Sequence, residues 1–128
     1  AYSQGWFVPA TVVEISHNHR VAREEHFAPL LAIMGIKNFQ EGITKANDSE
    51  YGLTGGVFSE DKSEVDLFMN ECEAGVLYAN RQSGATTGAW PGIQSFTGWK
   101  GSGASGKGGC GPYYVSQFMR EQSQTRIL

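Results

Sequence analysis

An α/β fold, with a mostly parallel sheet and helices on both of its faces, is predicted by three features of this sequence. Short apolar segments alternate with amphipathic segments, as strands and helices do in a parallel sheet. The connections between them are short, which suits right-handed crossovers. The chain has 128 residues, the size of one domain, and 40% of them are hydrophobic, which is enough for a packed core.

The strands of that sheet are predicted at three apolar segments, residues 30–36, 53–58 and 75–80. The first is a continuous apolar run, which predicts a strand that is buried on both faces. An earlier segment, residues 5–15, is rich in strand formers but is broken by Pro9. A proline at this place favours an edge strand or an extended segment.

Two segments between these strands have the spacing and the start signals of helices. Asn38 can cap the first helix, and Asp61 with Glu64 has the spacing of a capping box for the second. Apolar residues then recur on one face of each helix, at Phe39, Ile43 and Ala46 and at Val65, Phe68, Met69 and Cys72. Cys72 is therefore predicted to be a small core residue. A third helix is predicted at residues 112–119, with Pro112 in its first turn.

Composition excludes several classes of function. The 10 lysines and arginines are scattered and the net charge is -3, so no basic stripe indicates nucleic acid. No apolar run is long enough to span a membrane, and no signal peptide is expected. Two cysteines make no disulfide framework, which favours a reducing, cytoplasmic setting. His17 and His19 lack further nearby ligands, so a solvated loop is expected there rather than a metal site.

The longest irregular stretch, residues 80–111, follows the last predicted strand and is rich in glycine. A loop of this length inside a compact domain is normally functional or disordered. It also contains two tryptophans and a phenylalanine, which argue against a disordered linker. Because ligands of parallel sheets bind beyond the carboxyl ends of the strands, this loop is the predicted functional element.

Part of this loop matches two phosphate-binding patterns. Residues 101–106 fit G-x-G-x-x-G, and residues 101–107 fit G-x-x-x-x-G-K. The residues before it do not form an apolar strand, and the glycines after it cannot start a helix at once. Gly108 also offers no hydroxyl for magnesium. A nucleotide-binding phosphate loop is therefore a minor alternative, testable by ATP titration of a Lys107→Ala variant.

Several segments together resemble the aldehyde dehydrogenase family, in the family's order. Glu-Glu-His-Phe-Ala-Pro at residues 24–29 is similar to the family's Glu-Glu-x-Phe-Gly-Pro motif. The later segments that carry the resemblance are residues 46–53, 56–59, 75–80 and 96–103. The resemblance implies the α/β fold of that family's catalytic domain, with NAD or NADP as cofactor. Glu25 is then expected to accept hydrogen bonds from the nicotinamide ribose, and Phe27 to pack beside the nicotinamide.

A narrower resemblance is to the 1-pyrroline-5-carboxylate (glutamate semialdehyde) dehydrogenase branch, in which a Ser-Thr-Gly-Ala turn precedes the Phe-Gly-Gly motif. Thr-Thr-Gly-Ala at residues 86–89 is similar to that turn. Gly88 and Ala89 are then expected to hold the α-carboxylate of the substrate, because successive backbone N–H groups form an anion-binding nest. Phe96 is expected to form an aromatic wall. A plain turn without a ligand is the alternative.

The family's cysteine nucleophile and its general-base glutamate have no match here and are expected upstream, so catalytic residues are predicted to be absent from this chain. The resemblance implies the C-terminal part of the catalytic domain at residues 1–111 and a helix with an oligomerisation strand at residues 112–128. The implied partners are an aldehyde, the rest of the dehydrogenase chain and further copies of it. Thr97, Ser95, Ala28 and His26 depart from the family pattern. Another aldehyde substrate, or a non-catalytic interaction module derived from this fold, is therefore kept as an alternative.

Overall fold

The structure is a computed structural model that describes residues 4–82, 89–104 and 107–128. The chain forms two compact units, a first that ends at Ser49 and a second from Glu50 to Leu128. Each unit contains a parallel pair of strands and at least one helix, which confirms the α/β class. The predicted boundary between residues 111 and 112 lies inside the second unit and stays a prediction.

The first unit is built on two parallel strands. β1 (Thr11–Glu14) pairs with β2 (Leu30–Ile33), with Thr11 opposite Leu30. The connection between them contains a short helix, α1 (Arg20–Arg23), which sequence reasoning missed. α2 (Phe39–Asn47) follows β2 and begins as predicted, since the Asn38 side chain accepts a hydrogen bond from the backbone N–H of Glu41. Ile43 of α2 is buried, with 3% of its surface exposed.

The prediction that the first apolar run is buried on both faces is wrong for β2. Leu30 and Ala32 are half-buried, but Leu31 and Ile33 are exposed on the opposite face. Val12, which lies opposite Leu31 in β1, is also exposed. A continuous apolar run is typical of a strand that is covered on both faces. In the first unit, however, no described residue covers the face that carries Leu31 and Ile33.

The second unit contains the other parallel pair. β4 (Thr54–Val57) and β5 (Val76–Ala79) are joined by α3 (Lys62–Glu71), as the alternation of segments predicts. α3 packs closely on β4, because a Cβ on Gly55 would lie 3.2 Å from the Cys72 sulfur and 3.4 Å from the Phe68 ring. Cys72 is buried, which confirms its prediction as a core residue.

α3 begins with a variant of the predicted capping box, in which a third residue, Ser59, lies between Glu64 and the backbone of Asp61. The Asp61 carboxylate accepts from the N–H of Ser63 at 2.7 Å. Glu64 does not reach back to the N–H of Asp61 directly. It accepts instead from the Ser59 hydroxyl at 2.5 Å, and that hydroxyl oxygen accepts from the Asp61 N–H at 3.1 Å.

Two further strands form an antiparallel pair that the sequence analysis missed. β3 (Tyr51–Gly52) pairs with β6 (Trp99–Lys100). β6 leads into a turn at Gly101 and Ser102, and residues 105–106 are outside the described part of the chain. A two-residue strand precedes this turn, but no helix begins among the described residues 107–114, as a phosphate loop would require.

The C-terminal helix is shorter than predicted. Only Val115–Phe118 is helical, and it is a 3-10 turn rather than an α-helix. Residues 119–128 are exposed and form neither helix nor strand. A strand requires a hydrogen-bonded partner, so the oligomerisation strand stays a prediction. Among the described residues, no helix has the length and apolar character needed to cross a membrane.

Candidate functional site

The segment from Glu24 to Pro29 is fixed at both of its ends. Glu24 ends α1 with an extended backbone (φ −103°, ψ 139°). A tight turn follows, in which the N–H of Ala28 donates to the carbonyl of His26 at 2.6 Å. Pro29 accepts a hydrogen bond from the N–H of Thr11 at 2.9 Å, which extends the β1–β2 ladder by one bond. The segment between these anchors carries the two residues predicted to contact the cofactor.

Glu25 and Phe27 both face solvent within the first unit. The Phe27 ring is 96% exposed. The neighbouring carboxylate of Glu24 is held by Arg20, whose Nε donates to it at 2.6 Å. Glu25 has no hydrogen bond or ion pair with any other described residue. The segment therefore presents one available carboxylate beside one available aromatic ring.

In the second unit, Asn80 joins the carboxyl ends of β4 and β5. Its Oδ1 accepts from the N–H of Ser59 at 2.9 Å, and its Nδ2 donates to the carbonyl of the same residue at 2.8 Å. Its own N–H donates to the carbonyl of Val57 at 2.8 Å. With φ at 52°, Asn80 adopts the left-handed conformation that asparagine tolerates better than most residues. The chain thereby turns out of the sheet into the glycine-rich loop.

An open pocket of about 480 Å³ lies at this end of the strand pair. It reaches from Asn80 to the first turn of α3. Its walls combine apolar and polar side chains, as small-molecule sites usually do. The lining residues are Phe58, Ser59, Glu60, Lys62, Val65, Asn80 and Gln82. Sequence reasoning missed this pocket, because its two sides come from segments that are distant in the chain.

The glycine-rich loop folds back on its own later residues. The N–H of Gly92 donates to the carbonyl of Cys110 at 2.7 Å, and the N–H of Phe96 donates to the carbonyl of Gly109 at 2.8 Å. Ala89 is buried, with 5% of its surface exposed, and Phe96 is half-buried. The backbone of this loop is therefore held in place by residues 109–110 of the same loop.

Glycine lets this loop approach the sheet closely. A Cβ on Gly75, the residue before β5, would lie 1.7 Å from the carbonyl oxygen of Thr97. No side chain fits at that distance, so the backbone around Thr97 lies directly against the start of β5. This contact fixes the position of Phe96, the neighbouring residue, relative to the sheet.

The predicted site residues fall into two pairs. Glu25 and Phe27 belong to the first unit, and Ala89 and Phe96 belong to the second. Gly88 lies outside the described residues. Of the described members, Glu25 and Phe27 are exposed, Phe96 is half-buried and Ala89 is buried. Their contacts with cofactor and substrate stay predictions.

The two thiols differ in their surroundings. Burial raises the pKa of the Cys72 thiol, and the nearby charge of Lys100 opposes this only in part. Cys110 is exposed and has a left-handed backbone with φ at 65°. Within the described parts of the chain, no group of three or more His, Cys, Asp or Glu side chains is arranged to hold a metal ion.

Comparison with known proteins relates this geometry to one family. Residues 1–124 match the aldehyde dehydrogenase family. The 1-pyrroline-5-carboxylate dehydrogenase of Bacillus cytotoxicus is 35% identical over 127 residues, which is 98% of this chain and 24% of that protein. The chain thus spans about a quarter of the length of the curated relatives that it matches.

Solved structures give the same relation. A Thermus 1-pyrroline-5-carboxylate dehydrogenase with bound NAD is 38% identical, with a TM-score of 0.73 over 81% of this chain and 20% of that one. Proline utilization A from Bdellovibrio bacteriovorus is 37% identical, with a TM-score of 0.81 over 91% of this chain and 12% of that one. The match extends over nearly the whole sequence and includes the segments around Glu25, Asn80 and Phe96. This chain belongs to the aldehyde dehydrogenase family.

Proposed function

We propose that this chain forms part of the nicotinamide and substrate pocket of an NAD(P)-dependent aldehyde dehydrogenase that oxidises an aldehyde to a carboxylate. The proposed substrate is glutamate semialdehyde, the open form of 1-pyrroline-5-carboxylate, and the product is glutamate. The observation that carries this proposal is the 35% identity to a 1-pyrroline-5-carboxylate dehydrogenase along 98% of the chain. Thr-Thr-Gly-Ala at residues 86–89 supports the same substrate.

The first unit supplies the proposed contacts with the cofactor. The dinucleotide accepts a hydride from the substrate when it is bound. The free carboxylate of Glu25 fits the two hydroxyls of the nicotinamide ribose, since an ionised carboxylate only accepts hydrogen bonds. Glu24 is less suited to this role because Arg20 already occupies its carboxylate. The exposed ring of Phe27 offers a flat apolar surface to the nicotinamide.

The second unit supplies the proposed contacts with the substrate. The N–H groups of Gly88 and Ala89 would hold the α-carboxylate, as successive backbone N–H groups do in anion-binding nests. Phe96 would wall the pocket beside them. Its backbone is held by a hydrogen bond to Gly109 and by the contact of the adjacent Thr97 with Gly75. The backbone position from which the Phe96 side chain extends is therefore fixed. A fixed wall and a carboxylate anchor together select a short acidic aldehyde.

The remaining groups of the active site come from the rest of the dehydrogenase chain. A cysteine nucleophile would add to the aldehyde carbon to give a thiohemiacetal. Loss of a hydride from this adduct to the bound dinucleotide would give a thioester, and a glutamate would activate the water that hydrolyses it. Residues 112–128 are proposed to form the arm through which copies of the enzyme associate. Ile127 and Leu128 are fully exposed in this structure, which suits an apolar contact with a second copy.

The cofactor assignment is tested with a Glu25→Gln variant of the full-length enzyme. The amide keeps the shape of the side chain but loses the charge, so the Kd for NAD should rise about tenfold, the value of one hydrogen bond to a charged group. Glu24→Gln is the matched control and should leave the Kd unchanged. Protein fluorescence on titration with NAD measures both. Equal affinities of Glu25→Gln and the unchanged enzyme would contradict the role of Glu25.

The substrate assignment is tested by the rate of NADH formation. 1-Pyrroline-5-carboxylate should give a higher kcat/KM than aldehydes of the same length that lack the α-carboxylate. A Gly88→Pro variant removes one N–H donor from the proposed nest, and it should lower that preference. A higher kcat/KM for the aldehydes without the carboxylate would contradict this assignment and would place the enzyme in another substrate class.

A second candidate is a non-catalytic interaction module derived from this fold. The exposed apolar face formed by Val12, Leu31 and Ile33 favours it, because such a face drives association. Mass measurement in solution together with the NADH assay separates the two functions. Self-association without NADH formation by the full-length chain supports the module, whereas NADH formation supports the enzyme.

A further inference from the structure

Asp48 lies at the centre of a polar cluster in the first unit. It follows the last residue of α2 and caps its carboxyl end. Arg23 donates twice to it, from Nη2 to the carboxylate at 2.6 Å and from Nη1 to the backbone carbonyl at 2.6 Å. Nε2 of His17 lies 2.6 Å from the same carboxylate oxygen. One residue thus receives three contacts from the segment that connects β1 to β2.

The chemistry of this cluster favours a fixed geometry. Arginine presents its donors in a rigid planar fork, so two bonds to one residue also set its orientation. The hydrogen bonds from Arg23 and His17 hold the pKa of Asp48 well below its usual range, so the carboxylate is ionised at neutral pH. An ionised carboxylate only accepts, and therefore Nε2 of His17 is the donor in that pair. Nδ1 of His17 is buried and has no hydrogen-bond partner among the described residues.

The short helix α1, which Asp48 contacts through Arg23, is not stable by itself. α1 has only four residues, and isolated helices of that length are not stable in water. Three of its residues are half-buried and none is fully buried, so packing supplies only part of the missing stability. Arg23 is the last residue of α1 and stands two residues before Glu25. The bonds from Arg23 to Asp48 therefore fix the point from which Glu25 and Phe27 extend.

We propose that Asp48 is a positioning residue for the cofactor-binding segment, acting through Arg23 and His17 on the orientation of Glu25 and Phe27. This inference rests on the proposed function for its link to NAD. Its structural half, that Asp48 orders residues 20–27, stands on the contacts alone. The distance along the chain between Asp48 and Arg23 is 25 residues, so the effect is tertiary and not local.

The test compares two variants that make the same chemical change in the full-length enzyme. Asp48→Asn weakens the cluster. Asp66→Asn is the matched control, because Asp66 also pairs with a basic side chain, Lys62, and has the same exposed side-chain fraction of 56%. Amide hydrogen exchange measures local order, and titration with NAD measures the Kd.

Asp48→Asn should speed amide exchange at residues 20–27 and raise the Kd for NAD about 3- to 10-fold, the range that one misplaced hydrogen bond is worth. Asp66→Asn should change neither. Because the effect is on positioning, the KM for NAD should rise more than kcat falls. Arg23→Lys keeps the charge but loses the fork, and it should give a smaller change in the same direction. Arg23→Lys carries the test if Asp48→Asn does not fold.

Unchanged exchange at residues 20–27 in both cluster variants would overturn the proposal. Faster exchange with an unaltered Kd for NAD would overturn the link to the cofactor. If the unmutated enzyme fails to bind NAD, the proposed function is wrong and that link falls with it. The exchange data then decide on their own whether Asp48 orders the segment.

Discussion

At the scale of single residues, Asn80 determines how the chain leaves the sheet and enters the loop of the candidate site. Its side chain accepts one hydrogen bond from the backbone of Ser59 and donates one to it, just beyond the last residue pair of β4 and β5. Its left-handed backbone then directs the chain away from the sheet. Few residue types can do both, because the side chain must be a short amide and the backbone must tolerate positive φ.

Two substitutions separate these contributions of Asn80. Asn80→Gly keeps the backbone conformation and loses the clamp, so it should lower the free energy of unfolding by about 1–2 kcal/mol, the value of two exposed hydrogen bonds. Asn80→Ala also strains the left-handed backbone and should cost about 1 kcal/mol more. Urea denaturation measures both differences. Equal stability of the two variants would show that backbone strain contributes nothing here.

How far single residues can be predicted from the sequence depends on the range of their contacts. Cys72 was predicted correctly as a core residue, because its neighbours on the helix stripe are close in the chain. The contacts of Asp48 with Arg23 and His17 were not predicted, since they join residues 25 and 31 positions apart. The bond between Asn80 and Ser59 spans 21 positions and was missed for the same reason. Polar side chains have no periodic pattern that would reveal such pairs.

At the scale of elements, both long helices begin where the sequence indicates. Asn38 and Asp61 cap α2 and α3 with their side chains, because a cap depends only on residues within one turn. The antiparallel pair of β3 and β6 was missed. Its strands have two residues each, too few for an alternating pattern, and their pairing joins Tyr51 to Lys100 across most of the second unit.

The two caps should respond differently to pH. Hydrogen bonds from Ser63 lower the pKa of Asp61 below its usual value. The stabilisation by this cap is therefore fully present above the usual aspartate pKa, and it is lost as the pH falls through the lower pKa of the folded state. Asn38 does not titrate. Asn38→Ala should therefore cost about 1 kcal/mol at both pH 7 and pH 3. The destabilisation caused by Asp61→Ala should shrink toward acid pH.

Urea denaturation of both cap variants and the parent protein at the two pH values measures these differences. A loss for Asp61→Ala that is the same at pH 7 and pH 3 would show that its carboxylate does not act through its charge.

At the scale of the whole molecule, one apolar face of the β1–β2 pair is not covered by any described residue of the first unit. The outer face of the β1–β2 pair is apolar except for Glu14, and Leu31 on it is 59% exposed. The continuous run at residues 30–36 led to the prediction of burial on both faces, and within the first unit that prediction fails. Its composition is that of a strand covered on both faces, as the interior strands of parallel sheets are.

This 128-residue chain on its own should form no NADH from an aldehyde and NAD. The sequence resemblance predicts that neither cysteine matches the family's nucleophile, and burial raises the pKa of the Cys72 thiol, which favours its protonated form. The full-length enzyme is the positive control, with absorbance of NADH as the measurement. NADH formation by the short chain, abolished by Cys110→Ser, would identify Cys110 as an unexpected nucleophile.

The contrast between the two thiols gives this chain a built-in attachment point for an optical probe. A thiol-directed fluorophore would react with the exposed Cys110 and spare the buried Cys72. Cys110 adjoins Gly109, which holds the backbone of Phe96, and its own carbonyl holds Gly92. The emission of the dye would therefore report movements of the Phe96 loop in real time, without any need for turnover.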